Sequence, residues 1–205
     1  LTEPWRKWSG NPVLVPGRPA SWDADGVGTP CVRRQDAGGY VMWYAGNGAG
    51  GKCIGIAWSD DGLVWTKDAR NPVFTPGAAG AWDADGVGDP CVFAAESRYL
   101  LYYTGSGPGG RSIGRATSTD GVTWDRTASN PVLLPSRAGT AWDDKEVYTP
   151  WVLPASHGFE MWYGARGTGD TYATGRAVSL DGISWTRFPS PVLEPEVLEA
   201  ITFGP

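Results

Sequence analysis

Short stretches of alternating and branched apolar residues recur along this chain, and turn residues separate them. Around Val27–Val32, Val87–Phe93 and Val147–Leu153 the pattern predicts a first strand in each of three repeats. The runs Tyr40-Val41-Met42-Trp43-Tyr44, Tyr99-Leu100-Leu101-Tyr102-Tyr103 and Phe159-Glu160-Met161-Trp162-Tyr163 predict a second. Aromatic and branched side chains suit a pleated, half-buried surface. A Gly-rich loop leads to a third strand over Cys53–Ser59, Ile113–Ser118 and Thr174–Ser179. Gly55, Gly114 and Gly175 coincide there, which suggests close approach of a neighbouring backbone. No helical periodicity is long enough to compete.

The hairpin after the third strand is the sharpest local signal. Ser59-x-Asp61-Gly62-x-x-Trp65 returns at Ser118 to Trp124 and at Ser179 to Trp185. Asp-Gly between extended segments is a turn cue, since Gly takes positive φ without a Cβ clash. The Trp is expected to open a fourth strand. The stretch Trp22-Asp23-Ala24-Asp25-Gly26-Val27-Gly28-Thr29-Pro30-Cys31-Val32 recurs from Trp82 and again from Trp142, a spacing of 60 residues both times. A fixed period of this size marks a repeat architecture. Asn11-Pro12-Val13, Asn71-Pro72-Val73 and Asn130-Pro131-Val132 open the repeats as rigid, non-helical connectors.

Four strands per repeat with short connections predict an all-β propeller, each blade a four-stranded antiparallel sheet of about 60 residues. The blades fall at 11–70, 71–129 and 130–189, with stubs at 1–10 and 190–205, in a single propeller domain or propeller fragment. In the first stub Trp5 aligns with Trp65, and in the second Phe203-Gly204-Pro205 resembles the start of another inner strand. A propeller usually needs at least about four blades. Either the chain is a piece of a longer protein, or another copy closes the edges, and a homodimer would complete a six-bladed ring.

Composition narrows the partners. A net charge of −5 argues against a nucleic-acid surface and suits a neutral ligand. No apolar run reaches the length of a membrane span. The chain opens on Leu1 rather than Met, consistent with a leader or upstream domain having been removed. Cys31 and Cys91 share one repeat position, and Trp151 replaces them in the third copy, which reads as a buried apolar site. His157 is the only histidine and no metal-ligand spacing exists, so neither a metal nor a cofactor is expected.

The run Asn-Pro-Val-Leu-x-Pro, Trp-Asp, x-Pro-Cys-Val, Met-Trp-Tyr-x-Gly and Ile-Gly-x-Ala-x-Ser-x-Asp-Gly-x-x-Trp resembles the five-bladed propellers of the arabinanase/levansucrase glycosidase superfamily. The resemblance implies a funnel on the propeller axis, where inner strands present three acidic residues as base or nucleophile, stabiliser and acid. Two of them sit in that family directly before a Pro, the third two residues before one. Here Asp89 precedes Pro90, whereas Thr29 and Thr149 precede Pro30 and Pro150. Gly28, Gly88 and Tyr148 stand two before the prolines. Glu146 is an acid shifted by two from the pattern.

Asp89 and Glu146 are therefore the candidate catalytic residues. Lys145, Tyr148 and Trp151 depart from the repeat beside them and are candidate ligand-binding residues. Asp89 reads equally well as a carboxylate capping backbone amides, and the departures in the third copy read more readily as drift than as a pocket. Asp23, Asp83 and Asp143 recur in every copy and read as scaffold that ties down turn amides, with their Trp packed between blades. Asp61, Asp120 and Asp181 resemble the structural Asp-box of sialidase propellers. Arg115 and Arg176 are expected to pair with a neighbouring blade's Asp, and Trp43, Tyr102 and Trp162 to fill the inter-blade core. The expected function is a carbohydrate-active propeller resembling glycoside hydrolases, incomplete or inactive as this chain alone. The alternative is a non-catalytic propeller that binds a ligand or protein, or a self-assembling blade fragment.

Overall fold

The computed structural model describes residues 6–137 and 142–193, so the alignments at Trp5 and Phe203 lie outside the described residues. Every named element among them is a strand. The first repeat unit holds β1 (Gly26–Arg34), β2 (Tyr40–Gly48), β3 (Gly51–Ser59) and β4 (Thr66–Lys67). The second holds β5 (Gly86–Ala95), β6 (Arg98–Gly107), β7 (Gly110–Ser118) and β8 (Asp125–Arg126). The third holds β9 (Glu146–Ala155), β10 (Gly158–Arg166), β11 (Tyr172–Ser179) and β12 (Thr186–Arg187). Within each unit neighbours in sequence pair antiparallel. One parallel pairing, Lys52 with Gly86, stitches the first unit to the second. The sheets do not close on themselves.

The fourth strands are only two residues long and begin one residue after Trp65, Trp124 and Trp185. Ser59 and Asp61 explain the turn before them. The Asp61 carboxylate accepts the amides of Leu63 and Val64, while Ser59 Oγ accepts the amide of Gly62. Gly62 sits at φ 79°, where a Cβ would be strained. The same bonds recur at Asp120 and Asp181. The Asn-Pro-Val connectors and the related Ser190-Pro191-Val192 do more than link: Phe74, Leu133 and Leu193 bridge back to the third strands at Ile54, Ile113 and Thr174.

Units stack face to face. Cys31, Trp43 and Ile56 lie abreast on one face of the first unit and pack against Val92, Leu101, Tyr103 and Ala116 of the second. Cys91 and Tyr102 repeat this in the second unit, where Arg115 stands abreast of them, and with Ile113 they pack against Val152, Met161, Tyr163 and Ala177 of the third. Polar bonds lock each seam. Trp43 Nε1 donates to the Gly121 carbonyl at 2.8 Å, and Tyr102 Oη donates to the Gly182 carbonyl at 2.7 Å. The thiols of Cys31 and Cys91 accept the amides of Val92 and Val152, each at 3.2 Å. Each seam therefore satisfies a backbone group that burial would otherwise strand. In the first unit the Gly62 carbonyl accepts from Trp65 of its own hairpin instead.

The Trp-Asp pairs are scaffold, with partners other than turn amides. Asp23 accepts from Tyr44 and Ser21 and pairs with Lys67. Asp83 accepts from Tyr103 and pairs with Arg126, and Asp143 accepts from Tyr163 and pairs with Arg187. Each ties the segment before the first strand to the last strand of its own unit. Trp22, Trp82 and Trp142 meet Tyr44, Tyr103 and Tyr163 of their own unit, and Trp82 and Trp142 also pack against the clusters shared with a neighbouring unit. The close approach at Gly55, Gly114 and Gly175 is to these indoles and to Tyr44, Tyr103 and Tyr163, not to a backbone. Arg115 bonds Thr127, and Arg176 pairs with Glu160 at 2.9 Å, both within one unit rather than with a neighbour's Asp.

Candidate functional site

In every first strand the register slips by one residue, so that Thr29-Pro30, Asp89-Pro90 and Thr149-Pro150 each stand as a bulge opposite one residue of the second strand. Thr29, Asp89 and Thr149 have φ of 42°, 51° and 46°. Such backbone is sparsely populated for residues with a Cβ and costs on the order of 1–3 kcal/mol, so the surrounding structure must enforce it. At Thr149 a hydrogen bond from its amide to Thr104 Oγ1 of the preceding unit, 2.8 Å long, helps to do so. Bulges re-aim side chains. These three stand near the end of the sheets where first strands begin and third strands start, termed here the rim.

At the rim, third strands reach across the seam. Lys52, near the start of β3, places Nζ 3.0 Å from Asp89 Oδ1 of the second unit. Arg111, near the start of β7, places a guanidinium nitrogen 2.6 Å from Glu146 Oε2 of the third unit. Arg166 meets the same oxygen at 3.1 Å. The hydrogen bond from Arg111 holds the Glu146 carboxyl below its usual range. Arg111 also stacks over the Tyr148 ring, 4.1 Å from its centroid. Asp89 contributes to the field on Arg111, so the two carboxylates share one cation's neighbourhood. Burial pushes the Tyr148 hydroxyl upward.

The structure thus brings Asp89, Glu146, Tyr148 and Lys145 to one rim. Lys145 is at its exposed edge, 3.2 Å from Asp170. Trp151 goes elsewhere. It lies beside Trp162 and Arg176 on the outer face of the third unit, 54% exposed. Sequence reasoning did not single out Lys52, Arg111 and Arg166. The available signal was positional, since Lys52 and Arg111 hold one register place opposite Asn47 and Ser106.

A cavity of about 220 Å³ opens beside Lys52, floored by Gly26, Gly28, Gly46 and Thr29. A larger one, about 380 Å³, lies at the other end of the third unit between His157 and the Ser179–Asp181 hairpin. The corresponding hairpin of the first unit bears its own cavity at Ser59–Asp61. Recurrence makes that space a by-product of the hairpin, whose Ser179 and Asp181 are engaged in the turn's own hydrogen bonds. Among the described residues no group of His, Cys, Asp and Glu is arranged to hold a metal ion.

A profile of glycoside hydrolase family 130, described as beta-1,4-mannooligosaccharide phosphorylase, matches residues 37–149. An uncharacterized protein of Mycobacterium tuberculosis is 26% identical over 201 aligned residues, covering 89% of this chain and 64% of the relative. This chain therefore spans less than two thirds of that relative's length. Among solved structures, a family 117 glycoside hydrolase produced by the marine bacterium Zobellia galactanivorans superposes with a TM-score of 0.71 at 15% identity, over 86% of this chain and 59% of that one. The beta-1,2-mannobiose phosphorylase of Listeria innocua, in complex with beta-1,2-mannobiose, gives 0.66 at 18% identity, over 85% and 47%. At these identities the superpositions speak for the fold, that of propeller glycosidases.

Proposed function

The chain belongs to glycoside hydrolase family 130, the beta-1,4-mannooligosaccharide phosphorylase family, and on that premise we propose that it is a carbohydrate-active part of a propeller enzyme whose working end is the rim. The three four-stranded units are blades at 11–70, 71–129 and 130–189, and the rim is the axial mouth. The observation that carries the reading is the placing of Asp89 and Glu146 on first strands of consecutive units, each met by a cation from the unit before. Cleaving a glycosidic bond calls for carboxyl groups flanking it. Phosphorolysis replaces the attacking water by phosphate, which calls for cations beside them, and Arg suits an oxyanion by its fork of donors. Lys52, Arg111 and Arg166 meet that need.

In this reading Asp89 handles the proton or the developing charge at the scissile bond. Glu146 orients Arg111 and Arg166, and Tyr148 supports Arg111 from below. Lys145 contacts ligand from the exposed edge, and Trp151 does so only for a ligand that reaches the outer face.

Incubation with β-1,4-linked manno-oligosaccharides, with and without inorganic phosphate, tests it. Phosphate-dependent release of mannose 1-phosphate supports a phosphorylase. Phosphate-independent release of sugar supports a hydrolase. Sugar binding without turnover supports a non-catalytic carbohydrate-binding propeller, a reading favoured by Thr29 and Thr149 standing where further carboxylates are expected. Absence of both binding and turnover removes the carbohydrate reading.

A homodimer closing a six-bladed ring has one physical obstacle. Trp151 occupies the place where Cys31 and Cys91 accept an amide of the next unit, so that face would have to repack around an indole. The mass in solution decides it.

A further inference from the structure

Each third strand carries one long side chain at the rim in the same register. Lys52 pairs with Asn47, Arg111 with Ser106, and Tyr172 with Arg166. Two of these are cations engaged with the next unit's carboxylate. Tyr172 breaks the series. It offers a phenol ring where the other two offer a cation, and it is 52% exposed. That exposure belongs to the position. Lys52 and Arg111 keep 43% and 36% of their side chains exposed although a following unit is docked against them.

Tyr172 stands in one lateral row with Arg166 and Glu146. Arg166 pairs opposite it in register, and Asp170, two residues before it in the chain, lies 3.8 Å from Arg166. The aromatics that serve as core, such as Trp43 and Tyr102, are fully buried. An exposed ring with a polar tip, bordered by a donor and an acceptor, is an amphipathic surface. A pyranose offers the complement, a face of C–H groups and a rim of hydroxyls.

We propose that Tyr172 is a specificity-determining residue of the rim, stacking one neutral pyranose ring of an oligosaccharide while Arg166 donates to, and Asp170 accepts from, its hydroxyls. The inference rests on the carbohydrate reading above and adds the residue that selects a neutral ring over an anionic group at this position. Calorimetric titration of the chain with β-linked mannobiose and mannotriose tests it. Tyr172→Ala weakens binding about 5- to 10-fold, the size expected for loss of one stacking partner. Tyr172→Phe stays within about 2-fold of the parent, and Tyr172→Lys, which restores the residue type of Lys52, weakens binding as Ala does.

Equal affinity of Tyr172→Ala and the parent overturns the inference while leaving the carbohydrate reading intact. Failure of the parent chain to bind either sugar overturns both. If thermal melting shows Tyr172→Ala unfolded, the Phe and Lys variants decide alone: equal binding by those two overturns the inference, and loss confined to Lys supports it.

Discussion

Lys52 Nζ lies 3.0 Å from Asp89 Oδ1 across the seam between consecutive units. No equivalent acid exists at Thr29 or Thr149, so this contact singles out one of three otherwise equal bulges. Replacing Asp89 by Asn keeps the shape and removes the charge. The expected outcome is a fall in turnover of about 100-fold or more, the usual scale for losing an acid–base group, with little change in melting temperature. Unchanged turnover on manno-oligosaccharides would remove Asp89 from the chemistry.

Glu146 restrains two arginines, and its removal separates binding from chemistry. Glu146→Gln leaves Arg111 stacked on Tyr148 but without its anionic partner. The Michaelis constant for phosphate is expected to change several-fold while the turnover number moves less, because the carboxylate acts through Arg111 rather than on the reacting bond. A fall in turnover alone would assign Glu146 to the chemical step.

The seam bonds set a stability scale. Trp43→Phe deletes the donor to the buried Gly121 carbonyl and leaves most of the packing. The expected loss is about 1–2 kcal/mol, read from denaturant midpoints at constant slope. Tyr102→Phe removes the matching bond to Gly182 and is expected to cost a similar amount. No loss from either would mean that the seams are held by apolar contact alone.

Acid should loosen the hairpins. Amides of Thr123 and Val122 hold the Asp120 carboxyl at about 2, and those of Ser184 and Ile183 do the same for Asp181. An unfolded Asp titrates near 3.9. These groups are depressed in the folded state, so their contribution is whole above about pH 4 and is lost as pH falls toward 2. Melting temperature followed from pH 5 to 2 should drop less steeply in Asp120→Asn than in the parent. Parallel curves would exclude this carboxylate from acid sensitivity.

Much of the fold was legible because it is local. The 60-residue spacing, the Asp-Gly hairpins and the apolar runs are features of neighbouring residues, and the strands lie where those features stand. What was not legible is contact across a seam. Nothing near Lys52 in sequence announces Asp89, 37 residues on. Lys67, Arg126 and Arg187 gave no sign that they would neutralise Asp23, Asp83 and Asp143, because the short last strand folds back over its unit. Arg115 meets Thr127 beside that last strand, and Arg176 meets Glu160 on the adjoining strand of its own unit, pairings that their sequence neighbours do not announce. Of the site residues, Asp89 was readable from its break with the Thr of the other copies. Arg111 was readable only by aligning the third strands at their rim ends.

The thiols of Cys31 and Cys91 give the chain an internal gauge. Each sulfur sits where one repeat meets the next, and burial pushes the Cys91 group up to about 12, far from the reactive thiolate form at neutral pH. Alkylation at either cysteine therefore reports parting of its own junction, with no label introduced. Comparing the two rates would reveal whether the repeats peel away singly, as in a linear array with nearest-neighbour coupling, or come apart in one concerted event.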